Sequence, residues 1–343
     1  MIKCIVWDLD GTLWDGTLRD NPDVLLRAEA KALLEEADRA GVVHSIASRN
    51  NSGEALEKLR ELGVAPYFLY PQISVRESKV ASRRRIAERF GIGLDAVCFV
   101  DDNPFERYEV SRYLPEVLVC DASRLDWIRA ELSAQAGAVP ATNHRALMAA
   151  REARLCAEEA FTGTREEFLK ECCMVLRVRA ARPEDLDRVW ELVMRTNQLN
   201  NLRERWGREV LEEYQGSPDK LLLVCSLDDR FGNHGIVGAA LFQMEAALTL
   251  ELFCISCRTE GQGVAAAFLG EAAEAAFSAR PQAGKLTCYY RTSERSRAAF
   301  FLLKTLGFCA AEKKDGQIRM DPECQEAFDE LNTFMYQQVY YNP

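Results

Sequence analysis

The sequence predicts an α/β protein in two parts: a parallel sheet with helices on both faces, then an α+β domain. Three observations predict it. Over residues 1–122, short apolar runs alternate with amphipathic stretches, which is the pattern of repeated β-α units. From residue 173 three apolar runs follow one another with Gly and Asn between them, then a helical stretch, a strand and a helix; such an order favours antiparallel pairing. The length of 343 residues also exceeds what one hydrophobic core usually serves. The expected boundaries are 1–135 for the first domain, 136–172 for a helical connector and 173–343 for the second domain.

In order, "IKCIVWD" reads as a strand and "PDVLLRAEAKALLEEADRAG" as a helix closed by Gly41. "VVHSIAS" is a second strand. "SGEALEKLRELG" is a helix with Ser52 as its N-cap. "PYFLY" reads as a short strand, "SKVASRRRIAERFG" as a helix, "AVCFVDD" as a strand, "NPFERYEVSRYL" as a helix and "EVLVCD" as a strand. The alanine-rich connector breaks at "AQAGAVPATNHR". The second domain starts with "MVLRVRAARPEDLDRVWELVMRTNQLN", a strand, a Pro-initiated turn and a helix. "KLLLVCSLDD", "HGIVGAALFQME" and "LTLELFCISC" are strands. "EGQGVAAAFLGEAAEAAFSA", "KLTCYY" and "RSRAAFFLLKTLGF" complete it as helix, strand and helix.

Hydrophobic content of 48% and charged content of 28% are those of a globular protein. The net charge of -10 argues against nucleic acid as a general partner. Arg83, Arg84, Arg85 and Arg89 share one predicted helix, either as a solvated face or as a docking patch for an acidic partner. No run approaches the roughly 20 apolar residues of a membrane span, and the first apolar run is too short for a signal peptide. A cytoplasmic location is expected. The twelve cysteines lie scattered in apolar runs, as free thiols do in a reducing compartment. Cys254 and Cys257 sit three apart in a predicted strand, so they point to opposite faces and make a poor zinc pair.

The first strand runs into Asp8-Leu9-Asp10-Gly11-Thr12. Period two puts both carboxylates on one face. Ser48 ends the second strand, Lys79 opens a helix, and Asp101-Asp102 end a later strand. All of these fall at the carboxyl edge of one sheet, where α/β proteins gather their ligands. Several neighbouring carboxylates need a cation. Mg²⁺ prefers oxygen ligands and bridges to substrate phosphate, and Asp8 and Asp101 can hold it. A carboxylate can then attack phosphorus, and its neighbour Asp10 can protonate the leaving oxygen and later activate water.

"DLDGTLW", the Ser after the second strand, the helix-borne Lys and "VDDNP" resemble, in order and spacing, the four motifs of the haloacid dehalogenase phosphatase superfamily. The resemblance implies a Rossmann-like domain. It implies Asp8 as nucleophile and Asp10 as acid/base, with Asp8, Asp10, Asp101 and Asp102 around Mg²⁺. Thr12, Ser48, Arg49, Asn50 and Lys79 would bind the phosphate group. About 40 residues separate Asp8 from Ser48, mostly one helix, which leaves no room for a large cap.

"SCRTEGQGVAAAF" follows a strand and opens a helix. Arg258-Thr259-Glu260-Gly261-Gln262-Gly263 resembles the pyrophosphate loop of GNAT-type acyltransferases. A helix N-terminus favours an anion, and Gly261 and Gly263 would allow close backbone approach. In that family the ligand is coenzyme A, whose pantetheine arm lies between splayed strands; an acyl carrier protein presents the same arm.

Taken together the chain resembles the FkbH-like glyceryl transferase/phosphatase family, through "DLDGTLW", "SRNN", "ERFGIGLDAVCFVDDNPFERYEVSRYLPEV", "RTNQLN", "DDRFGNHGIVG" and "SCRTEGQGV". The resemblance implies transfer of the three-carbon unit of 1,3-bisphosphoglycerate, as glyceryl thioester, to the phosphopantetheine of an acyl carrier protein in polyketide-type biosynthesis. It also implies a cysteine that carries the acyl group. Cys257 is the candidate, beside Arg258 and a helix N-terminus, conditions that lower a thiol pKa; the alternative is a buried strand cysteine. His234 reads as a base or a turn residue. Asn197, Gln198 and Asn200 read as ligands for hydroxyls or pantetheine amides, or as helix C-caps. The chain departs from the family at Gly11, Asp15, Arg49, Asn51 and Gln262, where Asn, Gly, Lys, Asp and Arg are usual. Two other readings remain: a phosphatase fused to a coenzyme A-dependent N-acyltransferase, and a non-catalytic docking scaffold.

Overall fold

All four side chains of β1 (Cys4–Trp7) are buried, as befits a central parallel strand covered on both faces. In the computed structural model, residues 1–76, 78–136, 144–196, 199–202, 206–291, 297–314, 317–322 and 338–342 are described. The chain divides into two units, Met1–Leu155 and Cys156–Pro343.

In the first unit β1 is followed by β2 (Trp14–Asp15), β3 (Leu25–Leu26), α1 (Ala28–Arg39), β4 (Val43–Ser48), α2 (Ser52–Glu61), β5 (Gln72–Ile73) and α3 (Lys79–Phe90). Then come β6 (Val97–Asp101), α4 (Pro104–Tyr113), β7 (Leu118–Asp121), α5 (Leu125–Ala136) and α6 (His144–Ala160), the last running past the division. The strand order is β5-β4-β1-β6-β7, and every pairing is parallel. The chain builds outward from β1 to β5 and then returns to the other side. The order therefore reverses at β1, which places the crevice at the carboxyl ends of β1, β4 and β6.

Alternation along β1 divides the core. Ile5 and Trp7 pack with Leu33 and Leu34 of α1, Leu59 of α2 and Ile128 of α5. Cys4 and Val6 pack with Ile86 and Phe90 of α3 and Val110 of α4. Phe99 lies on the latter face. On β6 the side chain two residues on, Asp101, shares that face, which explains why α3 delivers a cation to it. His44 is a core residue. Trp7 Nε1 donates to its Nδ1 at 3.1 Å, and its Nε2 lies 3.2 Å from the Leu34 carbonyl. Burial pushes its pKa down to about 3, so the ring is neutral.

Three local expectations are corrected. Helix α1 starts at Ala28, not near Pro22, because Leu25–Leu26 pairs with Trp14–Asp15. The N-cap of α2 is Asn51, whose side chain accepts from Gly53 N and Glu54 N; Ser52 is the first helical residue. "PYFLY" is a short 3₁₀ turn at Ala65–Tyr67 with a single bridge from Phe68 to His44, and the strand comes later, at β5.

The second unit continues with α7 (Arg165–Glu171), β8 (Val175–Ala180), α8 (Leu186–Arg195), α9 (Arg208–Gly216), β9 (Lys220–Asp229), β10 (Gly232–Met244), β11 (Leu248–Ile255) and α10 (Val264–Ala279). It ends with β12 (Leu286–Arg291), α11 (Arg297–Thr305), β13 (Phe308–Lys314), β14 (Gln317–Pro322) and β15 (Gln338–Asn342). One sheet runs β13-β14-β12-β11-β10-β9-β8-β15. The neighbours from β8 to β11 are antiparallel; β11–β12 and β8–β15 are parallel. One face packs on α10 and α11 and the other on α8 and α9. β11 and β12 pair only over Leu248–Leu250 and Leu286–Cys288 and then part.

Candidate active site

At the carboxyl edge of the first sheet, Lys79 is the first residue of α3, behind the N-cap Ser78. That position aims its side chain across the strand ends. Its Nζ lies 2.8 Å from Asp8 Oδ1 and 2.6 Å from Asp101 Oδ2, and all three side chains are buried. Oxygens of Asp8, Asp101 and Asp102 lie within 4.8 Å of one another, the metal-capable acidic group found among the described residues. An all-oxygen carboxylate set suits a hard divalent cation such as Mg²⁺, so these residues fit the ion. Burial raises the Asp8 pKa to about 6; the Lys79 ammonium opposes the rise and the Asp101 carboxylate adds to it. Burial also raises Asp102.

Asp10 is held differently. Its Oδ1 accepts from Trp14 Nε1 at 2.8 Å and from Leu18 N at 2.9 Å, and its Oδ2 accepts from Asn50 Nδ2 at 3.0 Å. It lies outside the three-carboxylate group, in a place suited to proton transfer. Asn50 also donates to Ser48 Oγ at 3.3 Å, so it orients two site residues. Thr12 is wholly buried and accepts from Asp102 N at 3.0 Å; its hydroxyl ties two loops together. Gly11 has φ +67°, and a Cβ there would collide with the Asp102 carboxylate. A crevice of about 610 Å³ is lined by Asp8, Asp10, Ser48, Arg49, Lys79 and Asp102, among others. Arg49 lies at its rim, 3.3 Å from Glu106.

The arginine cluster on α3 is not one surface. Arg84 and Arg85 are exposed, and Arg89 pairs with Glu152. Arg83 is fully buried, 3.2 Å over the Phe99 ring. Its three guanidinium nitrogens have no hydrogen-bond partner among the described residues. Burial lowers its pKa to about 9 against the pull of Asp101, Asp8, Glu106 and Glu109. No sequence motif announces this second cation behind the acidic site, although it stands one helical turn beyond Lys79 on the same face.

In the second unit, Gly261 and Gly263 both take positive φ, and Gly263 caps α10. Arg258 Nε donates to Ser256 Oγ at 3.1 Å. Arg165 of α7, which no motif singles out, donates to the Gly261 carbonyl at 2.9 Å, and a Cβ at Gly261 would come 2.6 Å from it. Gln262 is buried and donates to the Arg258 carbonyl, so its side chain serves the loop itself. Cys257 lies beyond the end of β11, in a 3₁₀ turn, and is partly exposed; Cys254 is buried within the strand. His234 Nε2 is 3.0 Å from Asp229 Oδ2 in the β9–β10 hairpin. Asn200 is buried and bridges to Cys254. Asn197 and Gln198 lie outside the described residues.

The gap between β11 and β12 holds Asn201, a residue that its sequence context does not mark. Its N donates to Phe253 O, its Oδ1 accepts from Phe253 N, its Nδ2 donates to Tyr289 O, and its O accepts from Arg291 N.

No protein-family profile matches the chain. Human magnesium-dependent phosphatase 1 is 31% identical over 129 residues, covering 32% of this chain and 73% of the human protein. Among solved structures, the N-terminal phosphatase-containing part of a Bacteroides fragilis protein, complexed with Mg, is 25% identical. That likeness covers 37% of this chain and only 39% of the solved one, with a TM-score of 0.33. Spermidine N-acetyltransferase from Vibrio cholerae, in complex with CoA and spermine, is 16% identical over 43% of this chain and 92% of its own, with a TM-score of 0.34. No helix of the described residues is long and apolar enough to cross a membrane.

Proposed function

This chain belongs to the magnesium-dependent phosphatase family, of the haloacid dehalogenase type, and from that premise we propose that its first unit is an aspartate-based phosphatase with Asp8 as nucleophile. The observation that carries the reading is Lys79 bridging two buried carboxylates beside a third. Asp8, Asp101 and Asp102 would hold Mg²⁺, which when bound offsets their negative field and polarises phosphoryl oxygens. In the proposed reaction an Asp8 oxygen attacks phosphorus and the bond to the leaving oxygen breaks. That oxygen takes its proton from Asp10 Oδ2. Water then attacks the phosphorus of the aspartyl phosphate and gives its proton back to Asp10, freeing phosphate and Asp8. Asn50 orients Asp10, and Ser48 and Lys79 bind the transferring oxygens.

We further propose that the second unit transfers an acyl group to a thiol. The support is the order of its elements, the Arg258–Gly263 loop at the start of α10 and the parting of β11 from β12. In this reading 1,3-bisphosphoglycerate supplies the three-carbon unit: Cys257 accepts its 3-phosphoglyceryl group with loss of the acyl phosphate, and the phosphopantetheine thiol of an acyl carrier protein takes it as a thioester, freeing Cys257. The first unit hydrolyses the other phosphate ester. The test is intact-mass analysis after incubation with 1,3-bisphosphoglycerate, Mg²⁺ and holo carrier protein. A glyceryl adduct on the carrier with the wild-type chain, and a heavier, still phosphorylated glyceryl adduct with Asp8→Asn, are the expected results. Acetylation of an amine from acetyl-coenzyme A with no adduct on the carrier would instead make the second unit an N-acyltransferase.

A further inference from the structure

Arg107, in the first turns of α4, reaches back under the loop that bears Asp101 and Asp102. Its Nη1 donates to the carbonyl oxygens of both residues, at 2.9 and 2.6 Å. Its Nη2 pairs with Asp121 at the end of β7. Asp121 is itself fixed, since its Oδ1 accepts from the Ser123 amide at 2.9 Å and the Ser123 hydroxyl at 2.7 Å. Asp101 ends β6 beside Asp121 of β7, and its carbonyl also accepts from Ala122 N at 3.2 Å, but Asp102 lies past the ladder and before α4, where neither strand nor helix fixes its carbonyl. A guanidinium suits such a tether, because its donors lie in one rigid plane and it holds its charge at all working pH values.

We propose that Arg107 is a positioning residue for the metal site: by tying the Asp101 and Asp102 carbonyls to Asp121, it sets the placement of those two carboxylates and so the affinity for Mg²⁺. This rests on the reading of Asp8, Asp101 and Asp102 as the Mg²⁺ group. Ala122 N shares the Asp101 carbonyl with Arg107, and the remaining tethers of the turn hold different points. The Asp102 amide donates to Thr12 Oγ1 and the Asn103 amide donates to Asp101 Oδ1. Arg107 alone among these contacts grips both carbonyls, and it ties them to Asp121 at the adjacent strand end. It touches neither the crevice-facing carboxylates nor any residue that moves a proton, so its loss acts on binding of the ion before it acts on chemistry.

The experiment is a Mg²⁺ titration of the full chain, read by the shift of the thermal midpoint and, separately, by the Mg²⁺ dependence of phosphate release. Arg107→Gln is expected to weaken Mg²⁺ binding by about 10- to 100-fold, the range for lost outer contacts of a metal site. Turnover at saturating Mg²⁺ is expected to stay close to wild type. Arg107→Lys recovers part of the affinity, because an ammonium can still reach one carbonyl. Asp121→Asn shifts binding in the same direction by less, and it decides the matter if the arginine variants do not fold. A wild-type Mg²⁺ midpoint in Arg107→Gln, or in Asp121→Asn where that variant alone folds, overturns the proposal. A wild-type protein whose midpoint does not respond to Mg²⁺ would instead overturn the reading of the site.

Discussion

Replacing Lys79 by Met tests the electrostatic arrangement of the crevice without changing side-chain length much. Lys79 Nζ touches Asp8 at 2.8 Å and Asp101 at 2.6 Å, and Asp101 is fully buried. Without the ammonium, two buried carboxylates face each other with no cation between them. Removing one partner of a buried ion pair costs about 3–5 kcal/mol. For a unit of this size each kcal/mol moves the thermal midpoint by about 2–4 °C, so the first unfolding transition should fall by roughly 10 °C at pH 8 in EDTA. Lys79 is the largest influence holding the Asp8 pKa down, so its loss raises that pKa above the present value of about 6. A carboxyl whose folded pKa is raised favours folding at low pH, and that contribution is lost as pH rises through the folded value. The deficit should therefore shrink at pH 5, where protonation removes the unpaired charge. Saturating Mg²⁺ should also restore part of it by supplying a cation. The assay is thermal unfolding at pH 5 and pH 8, in EDTA and in Mg²⁺. A variant as stable as wild type at pH 8 in EDTA, or a deficit that grows on acidification, would refute the reasoning.

Gly11→Ala should lose about 1–2 kcal/mol from the positive φ alone and also weaken Mg²⁺ binding, because the new Cβ displaces the Asp102 carboxylate; chemical denaturation with and without Mg²⁺ checks both effects. With the Asp8 pKa raised to about 6, Mg²⁺ must displace a proton at pH 5.5 but hardly any at pH 8. Its apparent affinity should therefore rise with pH, and calorimetric titrations at the two values would show a flat response if the assignment is wrong. Asn201→Ala strips the partners from Phe253 N and Tyr289 O. At about 1–3 kcal/mol for each buried group left unmade, the second unit should unfold at clearly lower urea while the first is unchanged.

The parts of the fold legible in the sequence are those where one face or both faces of an element are buried. β1, β4 and β6 show as apolar runs because helices cover them on both sides, and α3 shows its start and stop through Ser78 and Gly91. β2 and β3 were not legible, since two residues carry no period. β15 was not legible either: it pairs with β8 from far along the chain, and no local signal announces such a partner. In the site, Asp8, Lys79 and Asp101 were legible because each stands at the end of an element, where topology alone brings them together. The places taken by Thr12, Gln262 and Asn201 were not, because their side chains are claimed by neighbouring backbone, a choice made only in three dimensions. Arg83 and Arg107 lie between these cases. Helical spacing puts Arg83 on the face of Lys79, but a run of arginines looks like a solvated surface until the Phe99 ring is seen beneath it.

The central claim is that Asp8 takes the phosphoryl group. It is tested most directly by quenching turnover of p-nitrophenyl phosphate with Mg²⁺ into borohydride, which reduces an acyl phosphate, and then mapping the peptides. The account predicts that the reduced residue is Asp8 and that Asp8→Asn yields neither label nor phosphate release. Label on another residue, or undiminished phosphate release from Asp8→Asn, would contradict it.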